Sequence, residues 1–165
     1  MKNFKISAIV ACYNDGKAIP EMYERLLVTL KKINCYYEII FVNDGSPDNS
    51  TDIIESICKK DNNVTGIIHS RNFNSQNAFT SGMMKASGDA VVLLDGDLQD
   101  PPEIIEKFVP EWEKGYEVVY GIRSKRKASF FLRFAYKFFY RLFSKMSDIK
   151  IPLDAGDFSL MDRKV

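Results

Sequence analysis

Cysteine is scarce and unpaired in this 165-residue sequence: Cys12, Cys35 and Cys58 are odd in number, widely spaced and match no CxxC pattern. A disulfide framework and a structural zinc site are therefore disfavoured, and a reducing cytoplasmic setting is expected. No apolar run approaches the roughly 20 residues that a bilayer-spanning helix needs. The start, Met1-Lys2-Asn3-Phe4-Lys5, passes directly into a strand-like stretch too short for a secretory leader with its cleavage region. Neither a G-x-G-x-x-G run nor a G-x-x-x-x-G-K-[ST] loop occurs, which argues against sites that neutralise phosphate with backbone N–H groups. The single histidine, His69, closes an apolar stretch and reads as a structural strand-end residue rather than a catalytic base.

What is present describes one globular domain. Hydrophobic residues make up 45% and charged residues 27%, and the length suffices to bury a core. The net charge of +1 conceals an asymmetry. Between positions 121 and 150 nine Lys or Arg face one acid, Asp148, a local balance of +8 that leaves −7 for the remainder. Such a split points to an anionic partner at the basic end, and nothing in the pattern points to nucleic acid.

Apolar, β-branched runs at 5–12, 38–43, 64–69, 89–94 and 117–121 predict five strands. Helical spacing predicts helices over 18–33, from Ser50 (with Ser50 or Asp48 as N-cap) and over 75–86, the last ending at Gly88. Pro101-Pro102 predicts the start of a fourth helix. Strand and helix alternate, so a mostly parallel central sheet flanked by helices is the economical α/β topology.

In open α/β sheets, ligands bind outside the carboxyl ends of the strands. Polar clusters follow four of the strands: Tyr13-Asn14-Asp15, Asn43-Asp44, Arg71-Asn72, and Asp95 with Asp97. On an extended backbone Asp95 and Asp97 share one side, since side chains alternate with period two. Two carboxylates held so close repel unless a cation intervenes, and Mg²⁺ or Mn²⁺ suits such oxygen ligands and can bridge them to a diphosphate. Taken alone, Asp-Gly-Asp reads more readily as a solvated turn than as a metal site.

Three segments in order, Ile9-Val10-Ala11-Cys12-Tyr13-Asn14-Asp15, Val42-Asn43-Asp44-Gly45-Ser46-Pro47-Asp48-Asn49-Ser50 and Leu93-Leu94-Asp95-Gly96-Asp97-Leu98-Gln99-Asp100-Pro101-Pro102-Glu103, resemble the family 2 glycosyltransferases of GT-A fold. Arg71-Asn72-Phe73, Gly121-Ile122-Arg123 and the segment from Asp154 to Arg163 look like the polyprenyl-phosphate branch of that family, which includes dolichol-phosphate mannose synthases and bactoprenol glucosyltransferases. The resemblance implies a single GT-A catalytic domain over 1–165 and inverting, metal-dependent transfer from a UDP- or GDP-sugar. Carried over by position, Asp44 accepts a hydrogen bond from the base, flanked by Tyr13 and Arg71, with Ala11, Asn14 and Gly96 also in the donor site. Asp95 approaches the ribose or the metal, Asp97 ligates the metal, and Gln99 lies nearby. The sequence departs from the family pattern at Ala11-Cys12-Tyr13-Asn14-Asp15, where Pro-x-Tyr-Asn-Glu is frequent. It departs again at Asn43, where aspartate is frequent, and at Asn74, where glycine is common.

The acceptor side is basic. Arg123, Lys125, Arg126 and Lys127 suit an acceptor phosphate that must approach an anionic donor, with Arg123 and Arg126 the candidates. Over 128–147, Arg133, Lys137, Arg141 and Lys145 recur every four residues among aromatics. This predicts an amphipathic helix that either lies on a membrane surface or packs on the domain's own core. A polyprenyl phosphate acceptor is already ionised, so Asp157 would position it; a glycan hydroxyl would need Asp157 as base. A nucleotide-sugar-binding domain without turnover is the third reading. Because relatives usually continue further, the end at Val165 predicts a C-terminally truncated chain. The whole protein is expected at the cytoplasmic face of the membrane, with a homo-oligomer as one candidate assembly.

Overall fold

The computed structural model describes residues 2–122 and 155–165. The chain divides into two compact units, one of residues 1–120 with 157–165 and one of residues 121–156. The second holds mostly residues outside the described ones, among them the basic loop and the amphipathic segment expected at 128–147.

Alternating elements build the larger unit: β1 (Lys5–Cys12), α1 (Ile19–Ile33), β2 (Tyr36–Asn43), α2 (Ser50–Lys60), β3 (Val64–Ile68), α3 (Ser75–Lys85), β4 (Ala90–Asp95), a 3₁₀ turn (Pro102–Ile104), α4 (Ile105–Glu113), β5 (Val118–Ile122) and β6 (Ala155–Asp162). The sheet order is β3-β2-β1-β4-β6-β5. β1 pairs in parallel with both β2 and β4, and β2 with β3, whereas β6 runs antiparallel to β4. The expected mostly parallel α/β sheet is thus the observed one.

Side-chain alternation explains why the sheet is covered on both faces. Ile6, Ala8 and Val10 of β1 point to one side, where Met22 and Leu26 of α1, Ile54 of α2 and Phe108 of α4 meet Phe41 and Leu94. Ile9 and Ala11 point to the other, against Ala78 and Phe79 of α3, with Ile40, Val42 and Leu93. A β carbon on Gly82 would collide with Ile9, so α3 lies directly on the central strand.

Several boundaries differ from the sequence expectation, each for a local reason. Asn49 rather than Ser50 or Asp48 holds the N-cap of α2, while Asp48 Oδ1 accepts the Ser50 N–H at 3.1 Å and its hydroxyl at 2.5 Å. α3 stops at Lys85, before Gly88. Gly88 serves close packing instead: a β carbon there would stand 2.7 Å from the Ser7 nitrogen. β6 was not expected as a strand, because its inward residues Phe158 and Leu160 are separated and bounded by polar ones.

At the edge opposite the strand carboxyl ends, Glu38 of β2 fastens the α3–β4 connection. It accepts hydrogen bonds from the Ser7 hydroxyl at 2.6 Å, the Ser87 N–H at 2.7 Å and the Lys5 ammonium at 2.9 Å. Burial alone would raise this carboxyl, but those donors outweigh it and hold the pKa down to about 2. A depressed carboxylate contributes stability that is complete above the ordinary pKa of 4.5 and is lost as pH falls towards 2,. Glu38→Gln is predicted to cost about 2 kcal/mol near neutral pH, and to flatten the loss of stability between pH 4.5 and 2 in acid-dependent thermal unfolding.

Candidate nucleotide-sugar site

The parallel register brings the carboxyl ends of three strands level. Ala11 of β1 stands opposite Val42 of β2 and Asp95 of β4. Two backbone hydrogen bonds continue this alignment past the strands: Asp44 N–H donates to the Cys12 carbonyl at 2.9 Å, and Gly96 N–H to the Ala11 carbonyl at 2.8 Å. The loops after β1, β2 and β4 therefore leave the sheet as a tied group.

Between them lies a cavity of about 330 Å³. It is lined by Asp15, Asp95 and Asp97 with Ala11, Cys12 and Tyr13, and by Asp44, Asn72, Asn74 and Ser75. Asp95 and Asp97 do share one cavity, though not by strand alternation as expected. β4 ends at Asp95, and Gly96 and Asp97 lie in a turn. Gly96 is required there because a β carbon would come within 2.9 Å of Cys12 Sγ and 3.0 Å of Asp15 Oδ2. Leu98 follows in the left-handed region at φ 63°, an unfavourable conformation for leucine. Its side chain packs against the core, which anchors the turn. Asp97 Oδ1 accepts the Gln99 N–H at 2.9 Å.

The other expected residues stand as follows. Tyr13 is about half exposed at the rim. Asn14, at φ 61°, donates its N–H to Ser46 Oγ at 3.1 Å and so fixes the β1 loop rather than lining the cavity. Arg71 also lies outside the lining: its guanidinium sits over the Phe73 ring, 4.7 Å from the centroid. Asp44 is buried and borders the cavity. Arg123 and Arg126 fall outside the described residues; Asp157 belongs to β6, with only its backbone described.

Two residues without an assigned binding role also meet this arrangement. Asp15, noted in the polar cluster after β1, lines the cavity beside the Asp-Gly-Asp turn. His69, read as structural, places Nδ1 2.7 Å from Asp44 Oδ1. Its position directly after β3, level with the other strand-end clusters, is the signal that could have found it.

The carboxyl of Asp15 shows how closely acidic groups gather at this cavity. Burial pushes the Asp15 carboxyl above its ordinary range, against the Tyr13 N–H that lowers it, and the carboxylates of Asp97 and Asp48 push it further up. Burial also raises the Cys12 thiol strongly, with Asp15, Asp48 and Asp95 adding to the effect. Among the described residues no group of three His, Cys, Asp or Glu forms a metal cage. The donor set fits a different kind of site, in which one or two carboxylates and substrate phosphates share a hard divalent ion.

The sequence profile described as Glycosyl transferase family 2 matches residues 7–165. The chain belongs to that family. It is 47% identical over 165 residues to the "Uncharacterized glycosyltransferase YkcC" of Bacillus subtilis (strain 168), covering 99% of this chain and 51% of that protein. It is 38% identical over 162 residues to the "Bactoprenol glucosyl transferase" of Shigella phage SfV, covering 98% of this chain and 53% of that protein. The chain thus spans about half the length of these relatives. Among solved structures, the mannosyltransferase PcManGT from Pyrobaculum calidifontis, in complex with GDP-Man and Mn²⁺, superposes with a TM-score of 0.68 at 17% identity, over 99% of this chain and 46% of that one. The shared fold is the GT-A fold.

Asn74 gives a stability prediction. It occupies φ 73°, ψ 163°, a region that essentially only glycine adopts and that costs other residues about 1–3 kcal/mol. Asn74→Gly is predicted to stabilise the chain by about 1 kcal/mol after glycine's own entropy cost, raising Tm by about 2–4 °C in calorimetry.

Proposed function

We propose that the chain is the catalytic region of an inverting hexosyltransferase that moves a sugar from a UDP- or GDP-sugar to a polyprenyl phosphate. One observation carries this reading: Asp44, Asp95 and Asp97 line the same cavity at the strand carboxyl ends. The family membership and the likeness to a bactoprenol glucosyl transferase support it.

In this reading Asp44 receives the base, with Tyr13 at the rim. Asp95 and Asp97 would hold Mg²⁺ or Mn²⁺, with Gln99 nearby. When bound, that ion would supply neutralisation of the charge that develops on the departing nucleoside diphosphate. Arg123 and Arg126 receive the acceptor phosphate and Asp157 orients it. An acceptor phosphate oxygen attacks the anomeric carbon, the bond from that carbon to the nucleotide's terminal phosphate oxygen breaks, and the configuration inverts. A phosphate monoester near neutral pH is already ionised, so no protein base has to remove a proton.

The acceptor is membrane-borne, which assigns the amphipathic 128–147 segment to the membrane surface at its cytoplasmic face. Among the described residues no helix is long and apolar enough to cross a membrane.

Asp97→Ala tests the reading. Transfer of labelled sugar to undecaprenyl phosphate in the presence of Mn²⁺ is predicted to fall by about 100-fold or more, with Tm little changed. Undiminished, metal-dependent transfer by Asp97→Ala contradicts the assignment.

A further inference from the structure

His69 is the only histidine in the sequence, and both its ring nitrogens are engaged at the edge of the donor cavity. Nδ1 lies 2.7 Å from Asp44 Oδ1 and Nε2 lies 2.9 Å from Ser81 Oγ on α3. An ionised carboxylate only accepts, so Nδ1 carries the proton in this pair. The ring also meets Phe73 edge-on, with centroids 5.6 Å apart and planes at 85°. Its orientation is therefore set from three sides.

The consequence falls on Asp44. Its Oδ1 takes a second hydrogen bond, from the Phe73 N–H at 2.9 Å. Both lone pairs of Oδ1 are then used. Oδ2 has no hydrogen-bond partner among the described residues, yet it is not sealed in: the one sealed, unpartnered side-chain oxygen or nitrogen among them is Thr29 Oγ1. Asp44 borders the cavity, so Oδ2 is the single acceptor that the carboxylate offers to a ligand.

A single acceptor discriminates between bases. Uracil presents one N–H donor, at N3, between two carbonyl oxygens. Guanine presents N1–H beside the exocyclic amine, a pair of donors that a carboxylate satisfies by using both oxygens. With Oδ1 already occupied, guanine leaves one donor unpaired on entering the site, and an unpaired buried donor weakens binding. We infer that His69 is a positioning residue that locks Asp44 with only Oδ2 facing the donor, and that this arrangement selects a uridine over a guanosine nucleotide. The inference rests on the proposed placement of the base at Asp44.

Calorimetric titration of the full chain with UDP and with GDP, in Mn²⁺, tests it on wild type, His69→Phe, His69→Asn and Asp44→Asn, with thermal unfolding of each. Wild type is expected to bind UDP about tenfold or more tightly than GDP. His69→Phe removes the donor while keeping a ring, and is expected to lose about tenfold in UDP affinity and to narrow the preference. His69→Asn can return an N–H near the Nδ1 position and is expected to stay within about threefold of wild type.

Wild type binding GDP as tightly as UDP overturns the inference. So does a His69→Phe protein that keeps both affinity and preference, or a folded His69→Asn protein that binds UDP about tenfold more weakly than wild type. Should His69→Phe fail to fold, the wild-type ratio and His69→Asn still decide. Asp44→Asn separates the two levels. If it loses UDP while His69→Phe does not, only the role of His69 falls; if it binds UDP like wild type, the placement of the base falls and takes this inference with it.

Discussion

Three parallel strands that end level with one another are the constraint on which the site depends. Ala11 stands between Val42 and Asp95, and the hydrogen bonds from Asp44 N–H to Cys12 and from Gly96 N–H to Ala11 carry the alignment into the loops. Shifting β4 by one residue against β1 would turn its buried and cavity-facing residues to opposite faces. The buried alternation of Ile6, Ala8 and Val10 on one side and Ile9 and Ala11 on the other opposes such a slip. Core packing and ligand geometry are thus one problem here.

The same arrangement concentrates like charge. Asp15, Asp95 and Asp97 border one cavity, and burial raises the Asp15 carboxyl, with the carboxylates of Asp97 and Asp48 adding to the effect. The fold tolerates this because the acids sit at strand ends and in turns rather than in the core. The backbone around them is correspondingly constrained: Asn14, Asn74 and Leu98, all at positive φ, belong to the loops that form the cavity. Such strain persists only where surrounding packing over-determines the conformation, and Leu98 shows how, with its side chain held against the core beneath β4.

Much of this was legible in the residues. β1 lies where its apolar run places it, and Tyr13, Asp44, Asp95 and Asp97 reach one cavity because polar residues directly after parallel strands must emerge at one edge. What escaped was of three kinds. β6 carries only alternate apolar residues, Phe158 and Leu160, and an antiparallel insertion between β4 and β5 has no local signature. The Asp-Gly-Asp geometry comes from a turn and a left-handed leucine, neither of which periodicity reports. The engagement of His69 with Asp44 joins residues 25 positions apart and depends on the register of β2 and β3, which is a property of the sheet rather than of either segment.

The most direct measurement is a crystal structure of the chain grown with UDP and Mn²⁺, using anomalous scattering to locate the ion. The predicted result is a manganese peak beside Asp95 or Asp97, with the base against Asp44. A nucleotide bound elsewhere, or a manganese site remote from that turn, would contradict the assignment of the strand-end cavity as the donor site.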